Sequence, residues 1–405
     1  MHITQVISHY VPAHRFGGPL QVAHGLGKAL VRLGHSVSVC TTNLADETTD
    51  LDAPTDRPVN VDGVLVHYSP TCCSRYWGFS PQLWRAANAE VAKADLALVH
   101  FHYQFANWAG AKLARRHNTP YALFAHGSFK TAAISRKGRW KKRLYLALAE
   151  RGNLHGAKWL LFNAREEKRE SLYAKRGNVL PNGVDLEEFA TVAPDSFRDR
   201  YPQLKDKLTI LFLGRIDYSG KGLDQFLPAF QQFLQANPDS HLVLAGPDER
   251  GGRAQTEALV KQLGMQQHVT FTGLLRGDER IAALRECDAY VLPSPSEGLS
   301  IALLEALYVG IPVVVTQGVG LSDQVATTGA GVVTQTDTAS LLTGLNAIAT
   351  CEARTRMRGR ATELVRQSYS WNAIATQLLE LTLLPAHSQM VANRAPSESR
   401  LEAST

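Results

Sequence analysis

The sequence predicts two α/β domains in tandem, each a doubly wound, mostly parallel sheet with helices on both faces. Short apolar segments of strand length alternate with amphipathic helical segments along most of the chain. The alternation restarts after the loop-forming sequence VLPNGV at residues 179–184. With 405 residues, the chain is long enough for two domains that each bury a core of their own.

The first half begins as one α/β unit. A strand is predicted at Ile3–Ser8, then a loop through Gly17 and Gly18, a helix over Pro19–Leu33 and a second strand at Val37–Thr41. Proline suits the first turn of a helix, and Gly34 ends this one. Later strands are predicted at residues 96–101, 121–125 and 159–163.

The second half repeats the pattern, so we predict domains at residues 1–183 and 184–366. Its strands are expected at residues 208–213, 241–245, 269–271, 289–292 and 312–316. Its helices are expected at residues 223–236, 277–286 and 300–308. A final amphipathic helix over residues 367–384 precedes a polar tail, residues 385–405, which we expect to be mobile.

Charge is shared unevenly between the halves. Residues 1–190 carry 24 Lys and Arg against 15 Asp and Glu, whereas the remainder carries 19 against 22. The first half is therefore expected to meet an anionic partner. Five cysteines without CxxC spacing indicate reduced thiols. The absence of a signal-peptide pattern and of a long apolar run predicts a cytoplasmic protein.

The most informative motif is SPSEGLSIALLEAL, residues 294–307. Glu297 follows a predicted strand and faces the carboxyl edge of the sheet, where ligands bind in open α/β folds. Gly298 permits a ligand to approach the backbone closely, and Glu305 can accept hydrogen bonds from ribose hydroxyls. The free N–H groups that begin the next helix form an anion site; they belong to Leu299, Ser300 and Ile301. The alternative is that both glutamates are a cap-side charge and a solvated helix face.

A second motif is LFLGRIDYSGKGLD, residues 211–224. Arg215 and Lys221 flank a loop between a strand and a helix, which puts two cations where a diphosphate would arrive and makes a metal unnecessary. The alternative is a pair of exposed surface cations. No Walker-type phosphate loop is present, since the required glycine and Ser/Thr spacing is missing.

Two weaker signals lie in the first half. Gly17 and Gly18 would let backbone amides approach phosphates, although double glycines are often only turns. His126 directly follows the strand YALFA, which places an imidazole at the carboxyl edge of the first sheet. A lone histidine is more often structural or merely exposed.

In this order, the four motifs resemble the family 4 glycosyltransferases of the GT-B fold, as does PNGVD at residues 181–185. The resemblance covers residues 1–383. It implies two Rossmann-like domains facing a central cleft, with the C-terminal helix crossing back to the first domain. It also implies a retaining hexosyltransferase that uses a UDP- or GDP-sugar and a glycan or lipid-linked acceptor, in polysaccharide or glycolipid biosynthesis.

The resemblance assigns roles to five side chains. Arg215 and Lys221 would neutralise the leaving diphosphate, and Glu305 would bind the ribose. Glu297 would contact the donor sugar near the reacting carbon, and His126 would contact it from the acceptor side. The expected catalytic set consists of Arg215, Lys221, Glu297 and His126.

The remaining implied contacts are made by backbone. Gly18 would support the phosphates, and Leu274 and Leu275 lie in FTGLL, the turn expected to read the base. Neither a cofactor nor a metal is expected. Asp50-Leu51-Asp52 spells the DxD of metal-dependent transferases, but it lies in an acidic loop-like stretch and is taken as a coincidence.

A basic stretch in the first half suggests an acceptor or membrane contact. Between residues 130 and 143 there is no acidic residue, and the candidate contacts are Lys137, Arg139, Trp140, Lys141, Lys142 and Arg143. Such a stretch suits an anionic inner-membrane surface or a lipid diphosphate. A solvated helix face explains it equally well. Nucleic acid is not expected, because the cations are not interleaved with several stacking aromatics.

Three other functions remain to be separated from glycosyl transfer. A sugar-nucleotide epimerase shares the architecture and would release nucleotide without a transfer product. A catalytically silent nucleotide-sugar binder would bind the donor without turnover. A nicotinamide-dependent dehydrogenase is disfavoured, because no GxGxxG follows the first strand and no acidic residue ends the second.

Overall fold

The computed structural model of the chain describes residues 1–13, 18–46, 48–100, 103–128, 150–171, 173–190 and 197–383. The chain forms two compact units, one of Met1–Pro181 with the chain from Trp371 onward, the other of Asn182–Ser370. The boundaries therefore precede Asn182 and Trp371, where the sequence suggested Val184 and Gln367. The predicted tail, residues 385–405, lies outside the described residues.

The first unit contains an eight-stranded sheet in the order β3-β4-β2-β1-β5-β6-β7-β8. The strands are β1 His2–Val6, β2 Ser36–Thr42, β3 Val59–Val61, β4 Val64–Ser69, β5 Leu96–His100, β6 Tyr121–Phe124, β7 Trp159–Phe162 and β8 Gly177–Val179. All neighbours are parallel except β3 and β4. The chain order reverses between β1 and β5, which both lie in the middle of the sheet.

The antiparallel β3–β4 pair was not predicted, although the sequence carries its signal. Asp62 and Gly63 both have positive φ, 51° and 86°, and join Val61 directly to Val64. Two such residues are typical of a type I′ hairpin turn, and Asp-Gly is one of its preferred dipeptides. The hairpin extends the edge of an otherwise parallel sheet.

Helices cover the first sheet. They are α1 Gly18–Arg32, α2 Pro81–Lys93, α3 Phe105–His117, α4 Arg151–Gly156 and α5 Arg165–Arg169, with a 3-10 turn at Ala174–Arg176. The core against them consists of fully buried strand residues such as Val6, Leu98 and Leu123. Strands buried on both faces are continuous apolar runs, which is why β5, β6 and β7 were predictable from the sequence.

The second unit contains a six-stranded, entirely parallel sheet in the order β11-β10-β9-β12-β13-β14. Its strands are β9 Leu208–Leu213, β10 Ser240–Ala245, β11 Val269–Gly273, β12 Ala289–Leu292, β13 Val313–Thr316 and β14 Gly331–Thr334. This is the strand order of a dinucleotide-binding fold, and its direction reverses between β9 and β12. Ligands of such sheets bind outside the carboxyl ends of the strands at that reversal.

Ten helices belong to the described part of the second unit. They are α6 Leu186–Ala190, α7 Phe197–Arg200, α8 Leu223–Ala236, α9 Gly252–Gln262, α10 Gly277–Glu286, α11 Ile301–Val309, α12 Ser322–Thr328, α13 Thr338–Ala347, α14 Cys351–Met357 and α15 Thr362–Ser368. Short 3-10 turns lie at Pro202–Leu204 and Gln266–His268.

The last described helix, α16 Trp371–Leu383, belongs to the first unit and packs on α1. The contact is close at Gly25, where a Cβ atom would lie 2.2 Å from Nε1 of the Trp371 indole. Only glycine fits at this point of α1, so the sequence of the first helix is matched to the last one.

Candidate functional site

Two loops meet at the reversal of strand order in the second unit. One leaves β9 at Gly214 and the other leaves β12 at Pro293, and neighbouring parallel strands deliver both to the same sheet edge. Gly222, at the end of the first loop, has φ +71°, and a Cβ atom there would lie 2.1 Å from the carbonyl oxygen of Pro293. The two loops therefore touch, and glycine is required where they do.

Lys221 and Glu297 form an ion pair between these loops, and both side chains are largely buried. The Glu297 loop is held by a second loop, since Glu297 N–H donates to the Gly318 carbonyl at 2.9 Å and Gly320 N–H donates to the Glu297 carbonyl at 3.1 Å. The structure thus brings together a cation and a carboxylate that are 76 residues apart in the chain. Each holds the other in a defined position at the sheet edge.

Arg215 lies in the same β9 loop but has a different partner. Its guanidinium contacts the carboxylate of Glu249 at 3.1 Å, and its side chain is 61% exposed. The sequence did not single out Glu249, because nothing in its local pattern separates it from a surface acid. An exposed ion pair of this kind contributes little to holding Arg215 in place.

The β12 loop continues into α11, whose start differs from the prediction by one residue. Ser300 is the N-cap, with its hydroxyl accepting from Leu303 N–H at 3.4 Å, so the helix begins at Ile301. Leu299 precedes the cap, and its carbonyl accepts from the Asn182 amide at 3.2 Å. The space beside Gly298 is open, with nothing within 4 Å of a Cβ built there. The free backbone N–H groups of the first turn of α11 therefore begin at Ile301 rather than at Leu299.

Glu305, in the second turn of α11, is only 4% exposed. Its carboxylate forms an ion pair with Arg280 of α10, which also contacts Glu188 at 2.7 Å. Burial raises the pKa of Glu305, and the Arg280 guanidinium acts in the opposite direction. The alternative of a solvated helix face is excluded for Glu305. The sequence did not indicate Arg280, because the pattern GDERIAAL is typical of a helix with an ordinary solvent-exposed face.

The predicted base-reading turn follows β11. Gly273 ends the strand with φ +74°, and its carbonyl accepts from Gly246 N–H at 2.7 Å. Leu274 is then 48% exposed, whereas Leu275 is buried in the core of the unit. Of the two leucines, Leu274 alone presents its side chain to solvent at this edge.

His126 of the first unit has an unusual backbone. Its φ is +44° and that of Gly127 is +81°, a conformation that few residues other than glycine adopt. The buried carboxylate of Glu167 supports this turn by accepting from Gly127 N–H and, at 2.8 Å, from Asn163 N–H. Burial lowers the pKa of His126 to about 3, so its imidazole is neutral at physiological pH. Strain held in place by a buried carboxylate is typical of functional turns.

The other predicted residues of the first unit divide into two groups. Gly18 is the first residue of α1 and has open space beside it. Gly17 lies outside the described residues, as do the basic-stretch residues Lys137, Arg139, Trp140, Lys141, Lys142 and Arg143.

A pocket of about 450 Å³ opens at the carboxyl ends of β1, β2 and β4 and was not predicted. It is lined by Ile7, Ser8, His9, Pro19, Leu20, Leu44, Asp46, Arg75, Tyr76 and Gln104. Tyr76 is 86% exposed at this pocket, and burial lowers the pKa of His9 to about 4. The lining comes from separate segments between residues 7 and 104, so no local motif could have revealed it.

Two family models match the chain, and together they span most of it. The description "Glycosyltransferase Family 4" matches residues 16–188, and "Glycosyl transferases group 1" matches residues 194–364. The chain belongs to the group 1, family 4 glycosyltransferases. The fold and the family implied by the sequence motifs are thereby confirmed.

Curated relatives of this group 1 glycosyltransferase include an uncharacterized glycosyltransferase of Methanocaldococcus jannaschii, 26% identical over 80% of this chain and 82% of its own length. A phosphatidyl-myo-inositol mannosyltransferase of Mycobacterium leprae is 31% identical over 50% of this chain and 52% of its own length. A D-inositol 3-phosphate glycosyltransferase of Frankia alni is 30% identical over 60% of this chain and 64% of its own length. The chain spans about half the length of the mannosyltransferases it matches.

Solved structures show the same fold at low identity. Sucrose-phosphate synthase from Thermosynechococcus elongatus is 20% identical, with a TM-score of 0.71 over 97% of this chain and 99% of the other. HepE of Anabaena, in complex with UDP-glucose, is 16% identical, with a TM-score of 0.70 over 95% and 100%. Within the residues that the structure describes, no helix is long and apolar enough to cross a membrane, and no group of three potential metal ligands occurs.

Proposed function

We propose that this glycosyltransferase transfers a hexosyl group, with retention at the anomeric carbon, from a UDP- or GDP-sugar to a glycan or lipid-linked acceptor in polysaccharide or glycolipid biosynthesis, and that it does so without a metal. The observation that carries the proposal is the Lys221–Glu297 pair at the strand-order reversal between β9 and β12. A sheet of this order binds its ligand at that edge, and the pair supplies both charges that the reaction needs there.

Breaking the bond between the anomeric carbon and the diphosphate builds positive charge on the sugar ring and negative charge on the leaving group. Lys221 and Arg215 are the cations for the leaving diphosphate, together with the first-turn amides of α11. The carboxylate of Glu297 stabilises the sugar cation. When the donor binds, its diphosphate competes with Glu297 for the Lys221 ammonium.

The proposed transfer takes place on one face of the sugar. The acceptor oxygen forms a bond to the anomeric carbon as the diphosphate oxygen departs, and the acceptor proton moves to that departing oxygen. The configuration is then retained without a covalent enzyme intermediate. Glu305 binds the ribose hydroxyls, and the backbone beside Leu274 and Leu275 contacts the base.

We assign the acceptor to the pocket of the first unit. The lining includes the apolar Ile7, Leu20 and Leu44 and the polar Ser8 and Gln104, a mixture that suits a polyol ring, which has apolar faces and hydroxyls around its edge. Tyr76 offers an exposed aromatic face for stacking. Relatives named for inositol-containing substrates support a ring of this kind.

The basic stretch at residues 130–143 is proposed to hold the protein against the anionic inner face of the membrane, where a lipid-linked acceptor would be met. Flotation with vesicles of neutral lipid and with vesicles containing about 30% anionic lipid measures this directly. Binding that requires the anionic lipid and weakens in high salt supports the proposal. Equal recovery with both vesicles contradicts it.

The donor can be identified by a thermal-shift screen with UDP-, GDP- and ADP-sugars, each with and without EDTA. A ligand that binds only the folded state raises the melting temperature, by about 2.7 kcal/mol of stabilisation at one hundred times its Kd. We expect one nucleotide class to raise it in EDTA and the Lys221→Ala variant to lose the shift. No shift with any nucleotide sugar would contradict the proposal.

Turnover separates the proposed transferase from the other two functions. Mass spectrometry of the reaction should show an acceptor that has gained one hexosyl unit together with free nucleoside diphosphate. Free nucleotide with an epimerised sugar and no acceptor product would identify an epimerase. A thermal shift without any product across a panel of glycan and lipid-linked acceptors would identify a binding protein.

A further inference from the structure

A line of hydrogen bonds crosses the first unit and ends at the His126 turn. The Gln5 amide nitrogen donates to the Ala23 carbonyl of α1 at 2.9 Å, and the other end of that amide, Oε1, lies 2.8 Å from Nε2 of His100. Nδ1 of His100 lies 3.1 Å from Nε2 of His126. Nδ1 of His126 lies 3.3 Å from the Asn163 amide nitrogen.

The direction of every bond in this line follows from its first member. A backbone carbonyl can only accept, so the Gln5 NH₂ group must face Ala23 and Oε1 must face His100. An amide oxygen also only accepts, so Nε2 of His100 carries a hydrogen. A neutral imidazole has a single N–H, which leaves Nδ1 of His100 as an acceptor.

The same logic then fixes His126. Because Nδ1 of His100 accepts, Nε2 of His126 must carry the hydrogen and donate it. Nδ1 of His126 is therefore unprotonated and accepts from the Asn163 NH₂ group. The reversed direction would turn the Gln5 carbonyl oxygen toward the Ala23 carbonyl oxygen at about 2.9 Å, two acceptors in contact without a hydrogen between them.

The surroundings keep both rings neutral. Burial lowers the pKa of His126 to about 3 and that of His100 well below its usual range, and His126 adds to the effect on His100. The nearby carboxylate of Glu167 bonds the N–H groups of Gly127 and Asn163. A second proton on His100 would also set two donors against each other, because His126 Nε2–H faces its Nδ1.

We propose that Gln5 and His100 are positioning residues that fix His126 as the neutral tautomer protonated at Nε2, with that N–H engaged by His100. His126 is then a neutral polar group with an unprotonated Nδ1, and it does not donate or accept a proton during the reaction. The kinetic consequence rests on the proposed function and on the contact between His126 and the donor sugar that the family resemblance implies. The tautomer itself does not depend on any activity.

The test is NMR of the full-length protein labelled with ¹⁵N in histidine, with long-range correlations that distinguish protonated from unprotonated ring nitrogens. His126 is assigned from the loss of its signals in the His126→Gln variant. We expect Nε2 protonated, Nδ1 unprotonated and no titration of the ring between pH 5 and 8. A hydrogen on Nδ1, or a ring that titrates in this range, overturns the proposal. The spectrum of the wild-type protein is sufficient to show either result.

The positioning role is tested with Gln5→Met, which removes both polar ends at similar side-chain length. We expect His126 to show a mixture of tautomers and kcat to fall about tenfold while the donor KM stays unchanged, because the ring is then no longer held in one orientation by His100 and Asn163. The control is Thr4→Val, which removes a buried hydroxyl from the neighbouring position of β1 and should leave the His126 spectrum unchanged.

A wild-type spectrum in Gln5→Met, in a variant whose melting curve shows that it folds, would refute the role of Gln5. Absence of any transferase activity in the wild-type protein would instead count against the proposed function and would leave the NMR result standing. The two failures are therefore distinguishable.

Discussion

The two sheets of this glycosyltransferase both reverse their strand order near the middle, but they differ in the chemistry at their carboxyl edges. In the second unit, the edge at the β9–β12 reversal carries paired charges, Lys221 with Glu297 and Arg280 with Glu305. In the first unit, the ends of β5 and β6 carry the neutral imidazoles of His100 and His126, whereas the pocket at the ends of β1, β2 and β4 includes the charged side chains of Asp46 and Arg75. Topology decides where a ligand binds, and the residue types at the edge decide what kind of ligand it is.

This difference matches the two halves of the proposed reaction. A diphosphate needs cations, and carboxylates suit a ribose and a developing sugar cation. A polyol acceptor needs hydrogen-bonding groups that do not change charge with pH. The predictions below test whether the edges of the second and the first unit have these separate roles.

The largest effect is expected at the charged edge. Replacing Lys221 by Ala removes the cation from the leaving diphosphate and leaves Glu297 without its partner. We expect kcat/KM for the nucleotide sugar to fall by about 10² to 10³. Steady-state kinetics at saturating acceptor measures it. Lys261→Ala, an exposed lysine in the last turn of α9, is the matched control and should keep wild-type kinetics; equal activity of both variants would remove Lys221 from the site.

Arg280→Gln tests the buried pair. In this variant burial still raises the pKa of Glu305, and the Arg280 guanidinium is no longer there to lower it. A carboxyl whose pKa is higher in the folded than in the unfolded state costs stability as the pH rises through the interval between the two values. We expect the free energy of unfolding to fall by about 3 kcal/mol at pH 8 and by less at pH 5.

Urea titrations at the two pH values measure this loss. Arg253→Gln breaks an exposed pair with Glu257 and should cost about 0.5 kcal/mol or less at either pH. A loss for Arg280→Gln that is larger at pH 5 than at pH 8 would show that Glu305 is not held ionised by Arg280.

Two glycines of the second unit form a matched pair. Gly222 and Gly251 have nearly equal φ, +71° and +77°, but a Cβ atom would strike the Pro293 carbonyl at Gly222 and meet nothing within 4 Å at Gly251. We expect Gly251→Ala to cost about 1 kcal/mol, from the left-handed backbone alone. Gly222→Ala should cost about 2 kcal/mol more and also weaken donor binding. Equal denaturation midpoints would mean that the two loops separate easily.

The smallest effect is expected at the pocket of the first unit. Tyr76→Ala should raise the acceptor KM about fivefold, equivalent to about 1 kcal/mol of lost stacking, and leave the donor KM unchanged. Tyr76→Phe keeps the ring and should restore the wild-type value. A change in donor KM with Tyr76→Ala would break the separation between the two edges.

Repeating local patterns were predictable from the sequence, and long-range pairings were not. The helices Leu223–Ala236 and Gly277–Glu286 were predicted with the bounds that the structure has. The signals that mark them, the spacing of apolar residues and a glycine at the start, lie within or next to the helix in the sequence. The short β3–β4 hairpin was missed in spite of its Asp-Gly turn, since three-residue strands carry little periodicity.

At the site, the motifs indicated Lys221, Glu297 and Glu305, but they indicated neither the pairing of Lys221 with Glu297 nor Arg280, the partner of Glu305. Arg280 is 25 residues from Glu305, and Gln5 is 95 residues from His100. No local signal marks such partners, because only the folded sheet brings them together. The residues predicted from the basic stretch lie outside the described residues and stay a prediction.

The placement of α16 has a consequence for how the protein is made. The second unit is continuous from Asn182 to Ser370, whereas the first unit needs α16, from Trp371 onward, to cover Gly25. A ribosome therefore finishes the second unit before it delivers the last helix of the first. The unit that emerges first is completed last, and until then the part of α1 that Trp371 covers at Gly25 is exposed to chaperones and proteases.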